Sequence, residues 1–365
     1  MTDYQRLSRF LAILVLALQV IGSCNGSDVK TPASERQATT LTGPLDVELG
    51  YMRSDIEEHE NMYDDKTRKL LLDRVNPVKT TVQPIEGTVA RMDANLLRSL
   101  DAAEGKRWAI LQYPDNLTSD WQNTSAWRGA WRRMLQNQVQ AELDQIDKDK
   151  PYTRIAIAVD SVVRETNPEK KDSQFGSVPL AHVDFSMRDK TLEAMVSPFA
   201  DMWIPKIEAA MQRVPGHEGF DSKDIFDEYE LDRAINVWTL LSKKLTGAPI
   251  AMCDLDSTNR GTQFREYTAM RRIGVKEGNE GRVEKFKAVA LVADGGEGNR
   301  WHYYRSGMSL GESFIFDSFE TPHSALVAGD EKRQSVEVRI IVIKRRALAA
   351  IVQDEATRDL PQHEE

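Results

Sequence analysis

The feature that most constrains the fold is a series of short apolar segments, rich in Val, Ile and aromatic residues, that begins at residue 154. Gly, Pro and Asp separate these segments, and irregular stretches connect them. Such segments predict β-strands, and many short strands with long connections favour a double-sheet jelly roll over a parallel sheet. We therefore expect an α+β protein whose core, residues 151–347, is a jelly roll (double-stranded β-helix).

Residues 27–150 have a different pattern. The segments L-L-R-S-L-D-A-A-E and W-R-R-M-L-Q-N-Q-V-Q-A-E-L-D-Q-I carry apolar residues at helical spacing, so a mainly helical N-terminal region is expected. Residues 190–213 predict flanking helix within the core, and residues 348–365 predict a polar tail. No G-x-G-x-x-G follows a predicted strand and the sequence has no Walker-type loop, so it carries no nucleotide-binding signature.

The N-terminus has the layout of a secretory signal peptide. Arg6 and Arg9 precede a short apolar run, and small residues follow it. The run is shorter than the roughly 20 residues that span a membrane comfortably. We expect residues 1–26 to be a signal peptide or an N-terminal anchor, with a secreted or secretory-pathway protein as the consequence. A cytoplasmic protein is the alternative, and an uncleaved segment would be the protein's contact with a membrane.

Charge and cysteine content exclude several classes of protein. The 365 residues carry a net charge of -9, and no basic stripe with interleaved aromatic residues is present. Nucleic-acid binding is therefore not expected. The two cysteines, Cys24 and Cys253, are too few for a disulfide framework or for a cysteine-ligated zinc or iron–sulfur site.

One short motif has the composition of a metal site. V-P-L-A-H-V-D-F-S, residues 178–186, places His182 and Asp184 two residues apart at the end of an apolar run. In an extended strand these two side chains share a face. An imidazole and a carboxylate on one face supply two of the three ligands of a facial metal triad. An H-x-D pair also occurs by chance, so a third ligand is needed.

His323 is the best third ligand among the six histidines. It is followed at a distance by Arg333, Ser335 and Arg339, which share one face of a predicted strand, whereas His302 is expected to be a packed or hydrogen-bonded strand residue. A guanidinium group and a nearby hydroxyl are suited to hold the distal carboxylate of a metal-chelated 2-oxo diacid. The alternative is an ordinary half-buried strand with its polar residues outward.

Four segments carry a resemblance to a known family. They are A-V-D-S-V-V-R-E-T-N-P, A-H-V-D-F-S, D-R-A-I-N-V-W-T-L-L with A-P-I-A-M-C-D-L-D-S, and W-H-Y-Y-R-S-G-M-S-L-G-E-S-F-I-F-D-S-F with P-H-S-A and R-Q-S-V-E-V-R. Their order and chemistry resemble the iron(II)- and 2-oxoglutarate-dependent dioxygenases, within these most of all the hydroxylases and desaturases typified by gibberellin desaturases and cephem-methoxylase-related proteins. The resemblance covers residues 150–345 and departs at Thr239, where the family tends to have Arg, and in an insertion at 257–286.

The resemblance implies a set of site residues. The implied Fe(II) ligands are His182, Asp184 and His323. Arg333 with Ser335 would anchor 2-oxoglutarate, and Arg339 is the alternative anchor. Residues expected to contact substrate or to support the ligands are Arg164, Arg233 and Asn236.

The implied activity is oxidation of a small organic molecule by dioxygen, through hydroxylation or desaturation and within secondary metabolism. The alternative is a jelly-roll protein that binds a metal or a ligand without turnover.

Overall fold

The computed structural model describes part of the chain in detail. The described residues are 44–57, 62, 72–85, 90–91, 96–103, 105–112, 124–165, 180–241, 250–273, 282–293, 298–303, 312–326 and 334–346. All of them belong to one compact unit that spans residues 39–365. The expected signal peptide, the expected C-terminal tail and Arg333 lie outside the described residues.

The described strands, in chain order, are β1 (Leu45–Met52), β2 (Val75–Pro84), β3 (Ala90–Arg91), β4 (Trp108–Gln112), β5 (Arg154–Glu165), β6 (His182–Val183), β7 (Tyr229–Leu240), β8 (Ile250–Cys253), β9 (Phe264–Ile273), β10 (Arg282–Leu291), β11 (Trp301–Tyr303), β12 (Glu312–Asp317), β13 (His323–Ala325) and β14 (Gln334–Arg345). The described α-helices are α1 (Leu96–Ala102), α2 (Thr124–Ile146), α3 (Leu192–Val196), α4 (Ala200–Met211), α5 (Ile225–Glu228) and α6 (Arg260–Gln263). None of the helices in this described part is both long and apolar enough to span a bilayer.

The strands form two sheets. An eight-stranded sheet has the order β1-β2-β11-β8-β13-β6-β10-β9, and a six-stranded sheet has the order β3-β4-β12-β7-β14-β5. Most neighbours are antiparallel, whereas β11 pairs with β2 and β3 with β4 in parallel. Neighbours in each sheet are mostly distant in sequence, as expected for a jelly roll. The α+β jelly-roll fold predicted from the strand pattern is therefore confirmed, and every strand predicted beyond residue 151 is present.

The N-terminal region contains strands that the sequence analysis did not predict. Helices α1 and α2 form at the predicted positions, but β1 and β2 pair along the whole length of β1, and β4 pairs with β12. Pro77 obscured the β2 pattern, because proline cannot donate a ladder hydrogen bond. In the structure Pro77 lies where β2 pairs only with β1, since β11 joins β2 over Val82–Pro84. The described part of residues 27–150 therefore contains strands as well as the two predicted helices.

Strand β14 lies inside the molecule with both faces covered. On its outer face Val336, Val338 and Ile340 pack against residues of helix α2, whereas on its inner face Ile341 and Ile343 join a second apolar cluster. Strands of this kind, buried on both sides, are central strands. An ordinary half-buried strand, the alternative for this segment, is thereby excluded, and the polar side chains of β14 face the space between the sheets.

A β-bulge changes which residues of β5 face inward. Arg339 pairs with Asp160 and Ile340 pairs with Ala158, so Val159 has no partner across the ladder. A bulge of this type bends the strand and shifts the alternation of its side chains by one residue. Asp160 therefore lies beside Arg339, and Arg164 lies beside Ser335 four residue pairs further along the ladder.

Candidate metal centre

The structure places the three predicted ligands side by side between the sheets. Ligand atoms of His182, Asp184 and His323 lie within 4.8 Å of one another, and all three residues are buried. Strands β6 and β13 pair at His182 and His323, so the two imidazole rings come from adjacent strands, 4.3 Å apart between centroids. Asp184 follows two residues after His182. The local pairing of two very short strands therefore builds the whole donor set.

Each histidine is oriented by a backbone carbonyl. His182 Nδ1 lies 2.7 Å from the carbonyl oxygen of Leu180, and His323 Nδ1 lies 3.0 Å from that of Thr321. Because a carbonyl oxygen only accepts hydrogen bonds, each Nδ1 carries the proton. Each Nε2 then keeps its lone pair, and this arrangement is common for histidines that bind metals.

Asp184 is held by two donors from the opposite sheet. Arg339 Nη2 donates to Asp184 Oδ1 at 2.8 Å, and Asn236 Nδ2 donates to Asp184 Oδ2. Arg339 and Asn236 are direct partners across β14 and β7. Burial alone would raise the pKa of Asp184, but Arg339 and the neighbouring His323 hold this pKa below its usual range. Asp184 is therefore a carboxylate with a fixed orientation.

The environment keeps His182 in its neutral form. Burial lowers the pKa of His182 to about 3, and the neighbouring His323 also lowers it. A neutral imidazole is the form that binds a metal ion. Together with the ionised Asp184, this gives a donor set of neutral nitrogen and anionic oxygen at neutral pH.

Arg339 is surrounded by three carboxylates of the site. Its Nη2 lies 2.8 Å from both Asp184 Oδ1 and Glu337 Oε1, and its Nη1 lies 3.6 Å from Asp160 Oδ2. Burial disfavours the charged guanidinium, but these carboxylates outweigh it and raise the pKa of Arg339. Arg339 therefore orients the carboxylate of Asp184, and its expected role as the alternative anchor for 2-oxoglutarate stays a prediction.

The inner face holds further polar groups next to the ligands. Ser335 is fully buried, and within the described part of the chain its hydroxyl has no hydrogen-bond partner. Arg164, its neighbour across the ladder, lies 3.4 Å from Glu337 Oε2 and is close enough to influence the pKa values of His182 and Asp184. Ser335 and Arg164 therefore form a polar edge of the site at the end where β14 begins.

Arg233 lies away from this site. Its guanidinium forms an ion pair with Asp101 of helix α1 at 2.7 Å. Across the ladder Arg233 pairs with Val342, which belongs to the outer apolar cluster. Successive side chains of a strand point to opposite faces, so Arg233 is on the outer face. Its expected contact with substrate or ligands is corrected on this ground, whereas Asn236 is on the inner face.

His302 is a hydrogen-bonded strand residue, as predicted. Its Nε2 lies 3.0 Å from Asp254 Oδ2, and its ring is 5.5 Å from that of Trp108. It is in the same cross-strand row as His323, with Met252 between them. His302 is thus a matched reference for tests of the ligands.

The sequence analysis missed three residues of the site. The ring of Phe316 lies 4.8 Å from that of His323. The alternation of side chains along S-F-I-F-D-S-F could have indicated that Phe316 faces the interior. Glu337 and Asp160 complete the shell of carboxylates around Arg339. Nothing in the sequence pattern indicates Asp160, since its inward position depends on the bulge.

Comparison with known proteins supports the fold. No protein-family model matches the chain, and no curated protein sequence matches it. Solved structures of the iron and alpha-ketoglutarate-dependent endoperoxidase NvfI share its architecture. A single-residue variant of that enzyme has a TM-score of 0.52 at 13% identity, covering 84% of this chain and 99% of the other. The parent enzyme has a TM-score of 0.50 at 13% identity, covering 83% of this chain and 99% of the other. A different conformation of that enzyme has a TM-score of 0.51 at 13% identity, covering 84% of this chain and 99% of the other.

These similarities concern the fold, because so few residues are identical. The predicted likeness to iron(II)- and 2-oxoglutarate-dependent oxygenases is confirmed at that level, since the match extends over nearly the whole of the other chain.

Loss of the Asn236 amide should weaken metal binding with little effect on the fold. Asn236→Ala removes one donor to Asp184, and loss of such supporting contacts typically lowers metal affinity by about 10–100-fold. Anaerobic titration with Fe(II) or Co(II) measures this. Thr239→Ala is the matched control, because Thr239 on the same strand is also buried and bonds to Ser313 instead, at 2.7 Å. Equal affinities of the two variants would contradict the assigned role of Asn236.

The metal-free protein should lose stability in mild acid through His182. The pKa of His182 is about 3 in the folded protein, against an ordinary value of 6.5 in the unfolded chain. Below pH 6.5 the unfolded chain therefore binds a proton that the folded chain does not, so the free energy of unfolding decreases as the pH falls. The lowered pKa of Asp184 makes the free energy of unfolding depend on pH only below about pH 3.8, its ordinary pKa. Urea unfolding between pH 4.5 and about 7 should show a steeper loss for the wild type than for His182→Gln; parallel profiles would refute the assignment.

Proposed function

We propose that this protein is a non-haem Fe(II)- and 2-oxoglutarate-dependent oxygenase that oxidises a small organic molecule. The observation that carries the proposal is the buried set of two imidazole Nε2 atoms and one carboxylate at His182, Asp184 and His323. Two histidines and one carboxylate are the donor set of non-haem Fe(II) oxygenases. The fold shared with an iron and alpha-ketoglutarate-dependent endoperoxidase supports the same conclusion.

The residues fit a bound Fe(II) ion in charge as well as in geometry. His182 is neutral and Asp184 is ionised, so both are ready to bind a cation without releasing a proton. Arg339 and Asn236 hold the carboxylate from the opposite sheet. When bound, iron would supply the activation of dioxygen that is coupled to oxidative decarboxylation of 2-oxoglutarate. The protein supplies binding, orientation and electrostatics around that chemistry.

For the co-substrate we propose Arg333 and Ser335 as the anchor. The buried Ser335 hydroxyl has no partner among the described residues and is available to donate to a carboxylate. Arg333 precedes it by two residues in the sequence, and a guanidinium holds a carboxylate in a bidentate fashion. Arg164 lies at this end of the site, since it is the neighbour of Ser335 across the ladder.

The substrate that we propose is a largely apolar small molecule of secondary metabolism. Near His323 large apolar side chains are buried together, among them Phe316, Phe314, Trp238 and Met252. Apolar surroundings of this kind favour an apolar substrate. Hydroxylation or desaturation would then depend on which carbon of the substrate lies at the metal, and we propose one of these two outcomes.

For its cellular location we propose entry into the secretory pathway through residues 1–26, on the basis of the basic start and the apolar run. N-terminal sequencing of the mature protein tests this, and an intact residue 1 in cytosolic material would refute it.

The experiment that tests the enzyme is anaerobic titration of Fe(II) and 2-oxoglutarate into the metal-free protein. A 2-oxo acid chelated to Fe(II) gives a weak visible charge-transfer band. We expect the band in the wild type, its loss in Asp184→Ala and its weakening in Arg333→Ala. We also expect His323→Ala to lose bound iron while His302→Ala retains it, because His302 is bonded to Asp254 instead.

Each other outcome has a distinct meaning. Iron bound without a band would refute the 2-oxoglutarate proposal and favour a protein that binds a metal without turnover. A structural metal would also give a large fall in the melting temperature of the wild-type protein when iron is removed, since metal binding would then contribute to folding. Equal iron content in His323→Ala and His302→Ala would refute the ligand assignment.

A further inference from the structure

The connection between β12 and β13 carries the carbonyl group that orients His323. It comprises residues 318–322, and the carbonyl oxygen of Thr321 lies 3.0 Å from His323 Nδ1. A carbonyl group bonded to one ring nitrogen fixes the tautomer of a histidine and the direction of the other nitrogen. The position of Thr321 therefore determines where His323 Nε2 points.

Thr321 is held in place by two further hydrogen bonds. Its hydroxyl donates to the carbonyl oxygen of Arg107 at 2.7 Å, and its backbone N–H donates to the carbonyl oxygen of Asp317 at 3.1 Å. Thr321 is completely buried. Because a buried polar group that loses its partner is costly, each of these bonds restricts the movement of the residue.

Arg107 has an unusual backbone conformation at its contact with this connection. Its φ is 64°, and among the described non-glycine residues only Arg107 and Tyr152 have a positive φ. A residue with a side chain adopts this left-handed conformation at a cost, and keeps it only where its surroundings impose it. The carbonyl oxygen of Arg107 accepts from the N–H of Asp317 at 3.1 Å as well as from the hydroxyl of Thr321. Arg107 therefore binds the connection near both of its ends.

The side chain of Arg107 adds an ion pair with the same connection. Its Nε lies 3.1 Å from Glu320 Oε2, and 46% of the Arg107 side chain is exposed. Ion pairs with this exposure contribute little. The buried hydrogen bonds of Thr321, rather than this ion pair, therefore hold the connection in place.

His182 is supported in a different way. The carbonyl group of Leu180 orients it, and the adjacent Ala181 exchanges backbone hydrogen bonds with β1 and β10. This support consists of backbone groups, whereas the support of His323 includes a side-chain hydroxyl. A substitution at Thr321 can therefore loosen His323 and leave His182 unchanged.

We propose that Thr321 is a positioning residue for the metal centre. Its hydroxyl, bonded to the carbonyl oxygen of Arg107, fixes the carbonyl group that orients His323. Thr321 acts only through this imidazole. The proposal rests on the proposed function, because it takes His323 as a metal ligand, but the orientation of the imidazole can be measured without a metal.

The first test is titration of the full-length protein with Co(II). Thr321→Val replaces the hydroxyl with a methyl group and should lower the affinity about tenfold, at the low end of the effects of groups that support metal ligands. Thr321→Ser keeps a hydroxyl and should restore the affinity.

Thr239→Val is the matched control for this titration. Thr239 is also completely buried, and its hydroxyl also forms a hydrogen bond of 2.7 Å, with Ser313. Each valine variant loses one buried hydrogen bond, so both should have similarly lowered melting temperatures. Only Thr321→Val should bind Co(II) more weakly, and a general loss of stability would not produce this difference.

The second test uses the metal-free protein with isotope-labelled histidine. The Nδ1 proton of His323 is identified in the NMR spectrum by its loss in His323→Ala. In Thr321→Val this proton should exchange with water faster than in the wild type, because local opening becomes easier. The Nδ1 proton of His182 should exchange at its wild-type rate, and Thr239→Val should change neither proton.

Several outcomes would overturn the proposal. They are equal Co(II) affinity of the wild type and Thr321→Val, equal losses of affinity in the two valine variants, failure of Thr321→Ser to restore affinity, or an unchanged exchange rate of the His323 proton. If Thr321→Val does not fold, Thr321→Ala with Thr239→Ala as its control gives the same comparison. Absence of Co(II) binding in the wild type would contradict the proposed function instead, and the exchange measurement would still decide the role of Thr321.

Discussion

The ion pair between Arg339 and Asp184 joins the two sheets at the centre of the molecule. Asp184 comes from the sheet that contains both histidines, and Arg339 comes from the sheet opposite. Glu337 and Asp160 also face this guanidinium. Loss of one partner from a buried pair leaves an uncompensated charge, at a cost of roughly 3–5 kcal/mol. The group contains three carboxylates, Asp184, Glu337 and Asp160, but only two guanidinium groups, those of Arg339 and Arg164. A metal cation bound beside Asp184 would supply the positive charge that this group lacks.

This arrangement explains why the polar stripe of β14 is inside the protein. A polar stripe on a strand ordinarily indicates a solvated face, but here Ser335, Glu337 and Arg339 are almost completely buried. Their charges are matched by Arg164 on β5 and by Asp184 across the interior. The same strand becomes apolar at Ile341 and Ile343. Strand β14 therefore divides the interior into a polar end that holds the site and an apolar end that holds the core.

The sequence was sufficient to predict the strands of the core, the three ligands and the role of Asn236 near them. The alternation of apolar residues and the H-x-D spacing are local patterns, so they can be recognised in a single sequence. Strand β1 does carry a local signal that was overlooked, since Leu45, Val47 and Leu49 alternate with polar residues, whereas Pro77 obscured the pattern of β2. The inward position of Asp160 depends on the bulge in β5, which has no local signature in this segment. Arg233 was misplaced for a similar reason, since only the register with β14 decides which face it occupies.

The ligand strands β6 and β13 are two and three residues long, and this brevity has an evolutionary consequence. Because side chains alternate between faces, a shift of one residue in either strand would turn its histidine out of the interior. A single codon gained or lost between residues 180 and 184, or around residue 323, would thus abolish the donor set at once, whereas a substitution at most of the surrounding positions would only reshape it. Relatives of this protein should therefore differ in length within the connections between strands and keep the ligand strands free of insertions and deletions.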